Sequence, residues 1–365
     1  MNHLGNWKNG ELGDFVTLKR GFDLPQQKRE DGQVPIFSSS GITGTHSTAM
    51  VKAPGVITGR YGTIGEVFYA AKDFWPLNTT LFVEDFHGND AKFIYYFLKT
   101  LEWSKFTSAS AVPGINRNTV HKEIVSLPDI ETQRRIASTL SMFDEKIKIN
   151  TEINDNLQQQ ASALFSSFYD WSNAEVRYTD LIQILGGGTP KTGENTYWNG
   201  NIAFFTPKDV GTPYTLITEK TITEEGLSHC NSRLYPVNTV FVTARGTVGK
   251  VGMSGVPMAM NQSCYALVGK ETHQLLVYFY TLKAVDRLKH KASGAVFDAI
   301  TTRDFESEQI MKLSDDDAKA FLCIAEPMFQ KVLNNCIENL RLSTLRDSLL
   351  PKLMSGEVDV SAVKL

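Results

Sequence analysis

Residues that could do catalytic chemistry are present, but none has the spacing that catalysis needs. The run GTVGK, Gly246–Lys250, has the glycines and lysine of a phosphate-cradling loop. It lacks the earlier glycine and the following Ser or Thr that would complete one. LPDIETQRR, from Leu127, carries acidic residues in the order of a metal-dependent nuclease, but the spacing is too short and Gln133 stands where a lysine would be required. The seven histidines are scattered without HExxH or other metal-ligand spacing, so His121 and His290 are expected to be structural or solvated. No Asn-Pro-Pro-aromatic or Asp-Pro-Pro-aromatic tetrapeptide is present, so the usual amino-methyltransferase site is missing. The four cysteines, Cys230, Cys264, Cys323 and Cys336, form no CxxC pair and read as reduced thiols of a cytoplasmic protein. Binding chemistry is left: cations beside short polar side chains and glycine turns, with RLKHK, Arg287–Lys291, the densest basic run.

The elements that would position such residues come next. The 365 residues, 42% hydrophobic and 21% charged, suffice for two globular domains. The net charge of −3 argues against a chain wrapped uniformly around a polyanion, but not against local basic faces. The polar start MNHLGNWKNG has no apolar segment of a secretory signal, and no apolar run approaches the roughly 20 residues of a membrane helix, so no membrane partner is expected.

The chain repeats itself. GRYGTIGEVFY (Gly59–Tyr69) matches ARGTVGKVGM (Ala244–Met253), and PLNTT (Pro76–Thr80) resembles AMNQS (Ala259–Ser263). FIYYFL from Phe93 corresponds to LVYFYT from Leu276, and SASAVPGI, ending at Ile115, to ASGAVFDAI, ending at Ile300. The aromatics of the former pair are expected to pack the core of a short helix. The glycines of GTIG and GTVG read as turn geometry. The offset is ~185 residues, read directly from the numbering.

The repeat extends into two heptad stripes. Ile136, Leu140, Phe143, Ile147, Asn150, Asn154, Leu157, Ala161, Leu164 and Phe168 alternate by four and three; shifted, the same stripe runs from Phe321 to Leu353. Asn150 and Asn154 recur as Asn335 and Asn339, which reads as a device fixing helix register, the alternative being solvated positions on a rotating stripe. Pro327 marks a kink or the true start of the second helix. Short β-rich runs such as GVITG and TVFVTA lie between, while ILGGGTPKTGE (Ile184–Glu194) reads as a loop. The fold class expected is α+β: a mixed-β module at 1–130, a helix at 131–171, a second module at 172–314, and a helix with tail at 315–365. If each module's ends lie close together, the helices run antiparallel as a coiled coil, and the repeat gives an approximate two-fold.

Four fragments carry a family resemblance. VPIFSSSGITGTHS (Val34–Ser47) with GVITGRYGTIGEVFY, and GGGTPKTGENTYWNGNIAFFTPKDV (Gly186–Val210), are similar to two target-recognition-domain subtypes of type I restriction-modification specificity subunits. LPDIETQRRIASTL (Leu127–Leu140) resembles the opening of that family's central helix, and LRDSLLPKLMSGEVDV (Leu345–Val360) its C-terminal end. The chain departs at LSDDDAKA (Leu313–Ala320), where the proline and Gln-Arg pair of the first repeat are absent, so the two helix starts need not contact a partner identically. The resemblance implies a non-catalytic subunit that reads a bipartite, asymmetric double-stranded DNA site, one half per module. The helices would space the modules and dock two modification subunits. Those subunits would bind S-adenosylmethionine and methylate a flipped adenine at N6, and motor-nuclease subunits would join them. No cofactor is implied in this chain itself. Rival readings are a DNA-specificity module of another restriction or modification system, or a diverged self-contained nuclease or methyltransferase.

Given that resemblance, arginine and lysine suit phosphates and base edges, and Ser and Thr offer short polar reach. In module one the candidates are Lys19, Arg20, Ser38, Ser39, Ser40, Arg60, Tyr61 and Arg117. In module two they are Lys191, Thr206, Lys208, Arg245, Lys289, Lys291 and Arg303. The alternative for each is a solvated surface residue. Gln133, Arg134 and Arg135 either face a modification subunit or cap and solvate the helix start. The stripe from Ile136 to Phe168 would span roughly 50 Å, enough to bridge half-sites one DNA turn apart, about 34–36 Å.

Overall fold

A computed structural model describes residues 7–107, 114–170, 174–211, 213–291 and 299–360. Of the repeated blocks ending at Ile115 and Ile300, residues 108–113 and 292–298 therefore lie outside the described residues, as does Trp171 at the expected end of the first helix. The chain divides into two compact units: Met1–Ile147 with Arg341–Leu365, and Lys148–Leu340.

In the first unit, strand Lys8–Glu11 pairs antiparallel with Ile124–Leu127, drawing the ends of the module together. A four-stranded sheet runs in the order Thr17–Arg20, Thr80–Asp85, Gly55–Gly59, Val67–Ala70. Gly55–Gly59 is buried throughout, as its apolar GVITG sequence requires of an inner strand. A second sheet joins Gly41–His46, Val34–Ser38 and Trp75–Pro76. Helix Ala91–Lys99, capped by Asp90 accepting from the Phe93 N–H at 2.9 Å, buries Phe93, Ile94, Tyr96, Phe97 and Leu98. They share a core with Ile136 and Leu140 of one long helix and with Leu353 and Met354 of another.

The second unit repeats this plan. Ala174–Arg177 pairs with Gln309–Lys312. A five-stranded sheet runs Ile182–Gly186, Cys264–Gly269, Val240–Thr243, Val251–Ser254, Tyr214–Thr215, beside a three-stranded sheet of Lys220–Ile222, Trp198–Phe205 and Met258–Met260. The run ILGGGTPKTGE thus opens as strand and becomes loop only after Gly186. Tyr278, Phe279 and Tyr280 are buried as expected, but on a helix of 18 residues, Gln274–Lys291, whose last turn is the RLKHK run. Phe279 stacks on Phe165 at 4.9 Å and meets Phe321 edge-on at 5.2 Å.

Backbone contacts fix the true register of the repeat. A Cβ on Gly21 would lie 2.2 Å from Leu77 O and 2.6 Å from Pro76 O; on Gly187 it would lie 2.2 Å from Asn261 O and 2.6 Å from Met260 O. Leu77 N–H donates to Phe37 O at 2.8 Å, and Asn261 N–H to Phe205 O at 3.0 Å. Leu77 therefore answers Asn261, and the alignment of PLNTT on AMNQS shifts by one residue. Gly21 and Gly187 show that the offset is not constant along the module. Most of the change falls between Phe205 and strand Val240–Thr243, where the second unit has the longer connection. The GTIG and GTVG glycines are turn residues: Gly62, Gly65, Gly246 and Gly249 all take positive φ, from +74° to +93°.

The long helices are Ile130–Tyr169 and Asp315–Met354, 40 residues each. The second begins at Asp315 and runs through Pro327, so Pro327 is not its start. Asp129 accepts from the Thr132 N–H at 2.9 Å, and Ser314, at the same place in the repeat, accepts from the Asp317 N–H at 3.1 Å. Within the second unit Asn150 donates to Asn339 at 2.9 Å and Asn335 to Asn154 at 2.8 Å, so numbering rises on one helix as it falls on the other: the pair is antiparallel. Within the first unit Asp144 meets Arg346 in the same sense.

Candidate nucleic-acid interface

Each unit places a glycine turn directly after an inner strand of its sheet. In the first unit Arg60 and Tyr61 N–H groups both donate to Thr79 O, at 2.8 and 3.2 Å, and Arg60 O accepts from Ile115 at 3.0 Å. In the second, Ala244 and Arg245 N–H groups both donate to Ser263 O, at 2.8 and 3.3 Å, and Ala244 O accepts from Ile300 at 2.9 Å. The two turns are one construction, held by backbone and carrying different side chains.

Module one gathers Ser39, Arg60 and Tyr61. The Arg60 guanidinium lies 4.5 Å from the centroid of the Tyr61 ring. A Cβ on Gly62 would be 3.2 Å from Ser39 Oγ, and one on Gly59 3.1 Å from Ser39 Cβ, so the hairpin tip of Ser38–Ser40 abuts this turn. Ser38 Oγ accepts from Ser40 N–H at 3.2 Å, which shapes the tip. Lys19 pairs with Glu84 at 2.5 Å and Arg20 with Asp23 at 3.6 Å, both exposed. Arg117 is exposed on helix Arg117–His121.

Module two gathers Thr206, Lys208 and Arg245 around a cleft of about 680 Å3, also lined by Glu219, Lys220, Lys250, Asn261 and Ser263. Thr206 is held to Asp209 by its hydroxyl at 2.6 Å and its N–H at 2.8 Å, which shapes the loop from which Lys208 projects. Lys208 is 3.7 Å from Glu219, and Lys220 Nζ is 5.6 Å from the Trp198 ring centroid. Arg245 is exposed and makes no ion pair among the described residues. Beneath, burial together with the Asp209 charge pushes the Cys264 thiol up to about 12, so it stays protonated.

Other candidates stand apart. Lys191 and Arg303 are exposed on separate segments. Lys289 lies over the GTVG turn, its Cε 2.7 Å from where a Gly249 Cβ would be. Lys291 binds the carboxylate of Glu308 at 2.5 Å, and Glu308 is 1% exposed with Arg287 at 3.9 Å. That removes Lys291 from the free cations, because releasing it would strand a buried carboxylate.

Of the three residues at the first helix start, Gln133 is buried, with its amide fully engaged: Nε2 donates to Asn89 Oδ1 at 2.8 Å and to Pro128 O at 2.9 Å, and Oε1 accepts from Asp90 N–H at 3.0 Å. It ties the helix to module one and has no face for a partner. Arg135 pairs with Glu131 at 2.7 Å, and Arg134 is exposed without an ion pair among the described residues. Sequence reasoning missed Lys220, Lys250 and Asn261. Lys250 was visible only as the end of a failed phosphate loop, and Asn261 within the repeated AMNQS block. Lys220 lies on the longer connection of the second module, where the repeat offers no guide.

Comparisons with known proteins agree with this architecture. The type I restriction modification DNA specificity domain matches residues 5–159 and again 170–312, and the chain belongs to that family. It is a type I restriction-modification specificity subunit by that membership. It is 24% identical over 345 residues to the HindI specificity subunit of Haemophilus influenzae, covering 71% of this chain and 75% of that one. It is 29% identical over 204 residues to the EcoR124I/EcoR124II specificity subunit of Escherichia coli, covering 52% and 50%. In fold it is similar to the S subunit of the type I system of M. genitalium, with TM-score 0.63 at 18% identity over 97% of both chains. No helix among the described residues is long and apolar enough to cross a membrane.

Proposed function

We propose that this chain is the non-catalytic, DNA-reading subunit of a cytoplasmic type I restriction-modification enzyme. Each module reads one half of a bipartite, asymmetric site in double-stranded DNA. The paired helices space the half-sites and dock two modification subunits, which bring S-adenosylmethionine and methylate adenine N6; motor-nuclease subunits join that assembly. One observation carries this reading: the same backbone-held turn occurs once in each family-matched region, with Arg60 and Tyr61 on one and Arg245 on the other. A scaffold repeated with its backbone kept and its side chains changed is what two independent readers of different sequences need.

The test is an exchange of module one, residues 13–128, for that of a relative, followed by methylome sequencing in cells that express the modification subunit. One half-site should change and the other stay. If both change together, or neither does, the modular reading is wrong. Titration of the purified chain with S-adenosylmethionine should give no heat, and methyl transfer should appear only once modification subunits are added.

A further inference from the structure

The two equivalent turns both carry an arginine, but one residue out of step. Tyr61 bridges to Gly114 as Arg245 bridges to Ala299, so Arg245 takes the place of Tyr61, and Ala244 that of Arg60. In the first unit the guanidinium is laid against the Tyr61 ring. In the second, Ala244 is buried and the arginine has moved to the outward position. Arg245 is thus backbone-fixed and side-chain free: its N–H is bound to Ser263 O, Gly246 behind it takes φ +82°, and its guanidinium has no carboxylate among the described residues. An arginine that stabilised the fold would be paired or packed. This one faces a cleft that holds, among the described residues, three further cations, Lys208, Lys220 and Lys250, and one carboxylate, Glu219, already beside Lys208.

The four cations differ in what they can recognise. An ammonium is a hydrated point charge without directional preference, suited to phosphate oxygens. A guanidinium is a planar fork whose two parallel N–H groups match the O6 and N7 acceptors on the major-groove edge of guanine. We propose that Arg245 reads a guanine in the half-site of the second module, while Lys208, Lys220 and Lys250 hold the flanking phosphates. This rests on the DNA-reading function proposed above and adds to it a base and the residue that selects it. The preference for guanine supplied by one bidentate pair is roughly 5- to 150-fold.

The test uses the whole chain with its modification subunit. Methylomes are compared for wild type, Arg245→Ala, Arg245→Lys and Lys250→Ala. Arg245→Ala should relax a single guanine position in one half-site to all four bases, leaving the other half-site unchanged. Arg245→Lys should keep a weakened preference at that position, and Lys250→Ala should lower methylation at every site alike, with no change of sequence. Should Arg245→Ala methylate too little to read, the purified variant complex is used to select from a randomised duplex pool. A wild-type half-site without guanine overturns the proposal, as does an Arg245→Ala variant that loses activity evenly while keeping every guanine. Relaxation of both half-sites together would instead count against the modular reading itself.

Discussion

Arg346 Nη1 of the second long helix lies 2.5 Å from Asp144 Oδ1 of the first, and Asp144 Oδ2 accepts from the Tyr96 hydroxyl at 2.5 Å. At the same three positions of the repeat, the second unit has Ala161, Phe329 and Phe279, all buried, with Phe279 edge-on to Phe329 at 5.5 Å. The helix starts fix that match: the Ile94 N–H donates to Asp90 O as the Val277 N–H donates to His273 O. The difference traces to one hydroxyl, which Tyr96 carries into a layer that is apolar in the second unit. That hydroxyl needs a partner; Asp144 supplies it, and Arg346 neutralises Asp144.

That chain of dependence makes a prediction. The two side chains are 19% and 28% exposed, so breaking the pair should cost less than a fully buried one, about 1–3 kcal/mol for Asp144→Ala or Arg346→Ala. Copying the second unit's layer into the first, Tyr96→Phe with Asp144→Phe and Arg346→Ala, removes the hydroxyl, the carboxylate and the guanidinium together and should recover most of that loss. Urea denaturation of the single and triple variants measures it. A triple variant less stable than either single one would refute the equivalence.

Gln133 and Arg134 are neighbours with opposite prospects. Gln133→Ala leaves Asn89, Asp90 and Pro128 groups without partners, which should cost about 2–3 kcal/mol. Arg134→Ala should leave stability within ~0.5 kcal/mol and, if this helix start docks a modification subunit, weaken that association. Thermal unfolding and sedimentation of the reconstituted complex read the two effects separately. Unchanged stability in Gln133→Ala would contradict the burial described.

Much of the fold was legible because it is periodic. The heptad stripe from Ile136 to Phe168 and its copy gave both long helices, since four-three spacing admits little else. Pro327 misled as a possible helix start because proline disfavours the turn before it, yet packing of Phe321 and Ala325 on the preceding turns holds the helix through it. The site was legible only in part. Arg60 and Arg245 could be picked because glycines flank them, whereas Lys220 sits on a connection without a repeat partner. Gln133 read as surface because a polar residue on a helix start usually is; its burial depends on Asn89 and Asp90, which only the fold brings near.

His121 should make stability depend on pH. Burial, then the nearby charges of Arg117 and His87, lower its pKa below the usual 6.5. Its Nε2 accepts from the Leu18 N–H at 2.9 Å, so the neutral ring is the bonded form. Protons then bind the unfolded chain more readily, and the stabilisation is present above about pH 6.5 and lost as pH falls through it towards the lower folded value. Thermal melts of wild type and His121→Gln between about pH 7.5 and 5.5 should show the steeper loss in wild type. Equal slopes would mean that His121 does not titrate as described.

Asn154 and Asn335 offer the sharpest separation of stability from register. Asn335 Nδ2 donates to Asn154 Oδ1 at 2.8 Å, both residues are buried, and Asn335 Oδ1 has no hydrogen-bond partner among the described residues. Such a layer is poor adhesive but a good key: it fits only when the two amides come level. Asn154→Leu alone strands the Asn335 amide and should destabilise by about 1–3 kcal/mol. Asn154→Leu with Asn335→Leu replaces both amides by apolar surface and should be neutral or stabilising. The double variant should nonetheless hold register less firmly, because leucine packs against leucine at shifted alignments. Cysteines placed at Thr151 and Glu338, in a background without the native cysteines, would report it through crosslinkers of graded length. Wild type should give one dominant product and the double variant several. If the double variant were less stable than Asn154→Leu alone, the asparagines would be a stabilising pair and not a register key.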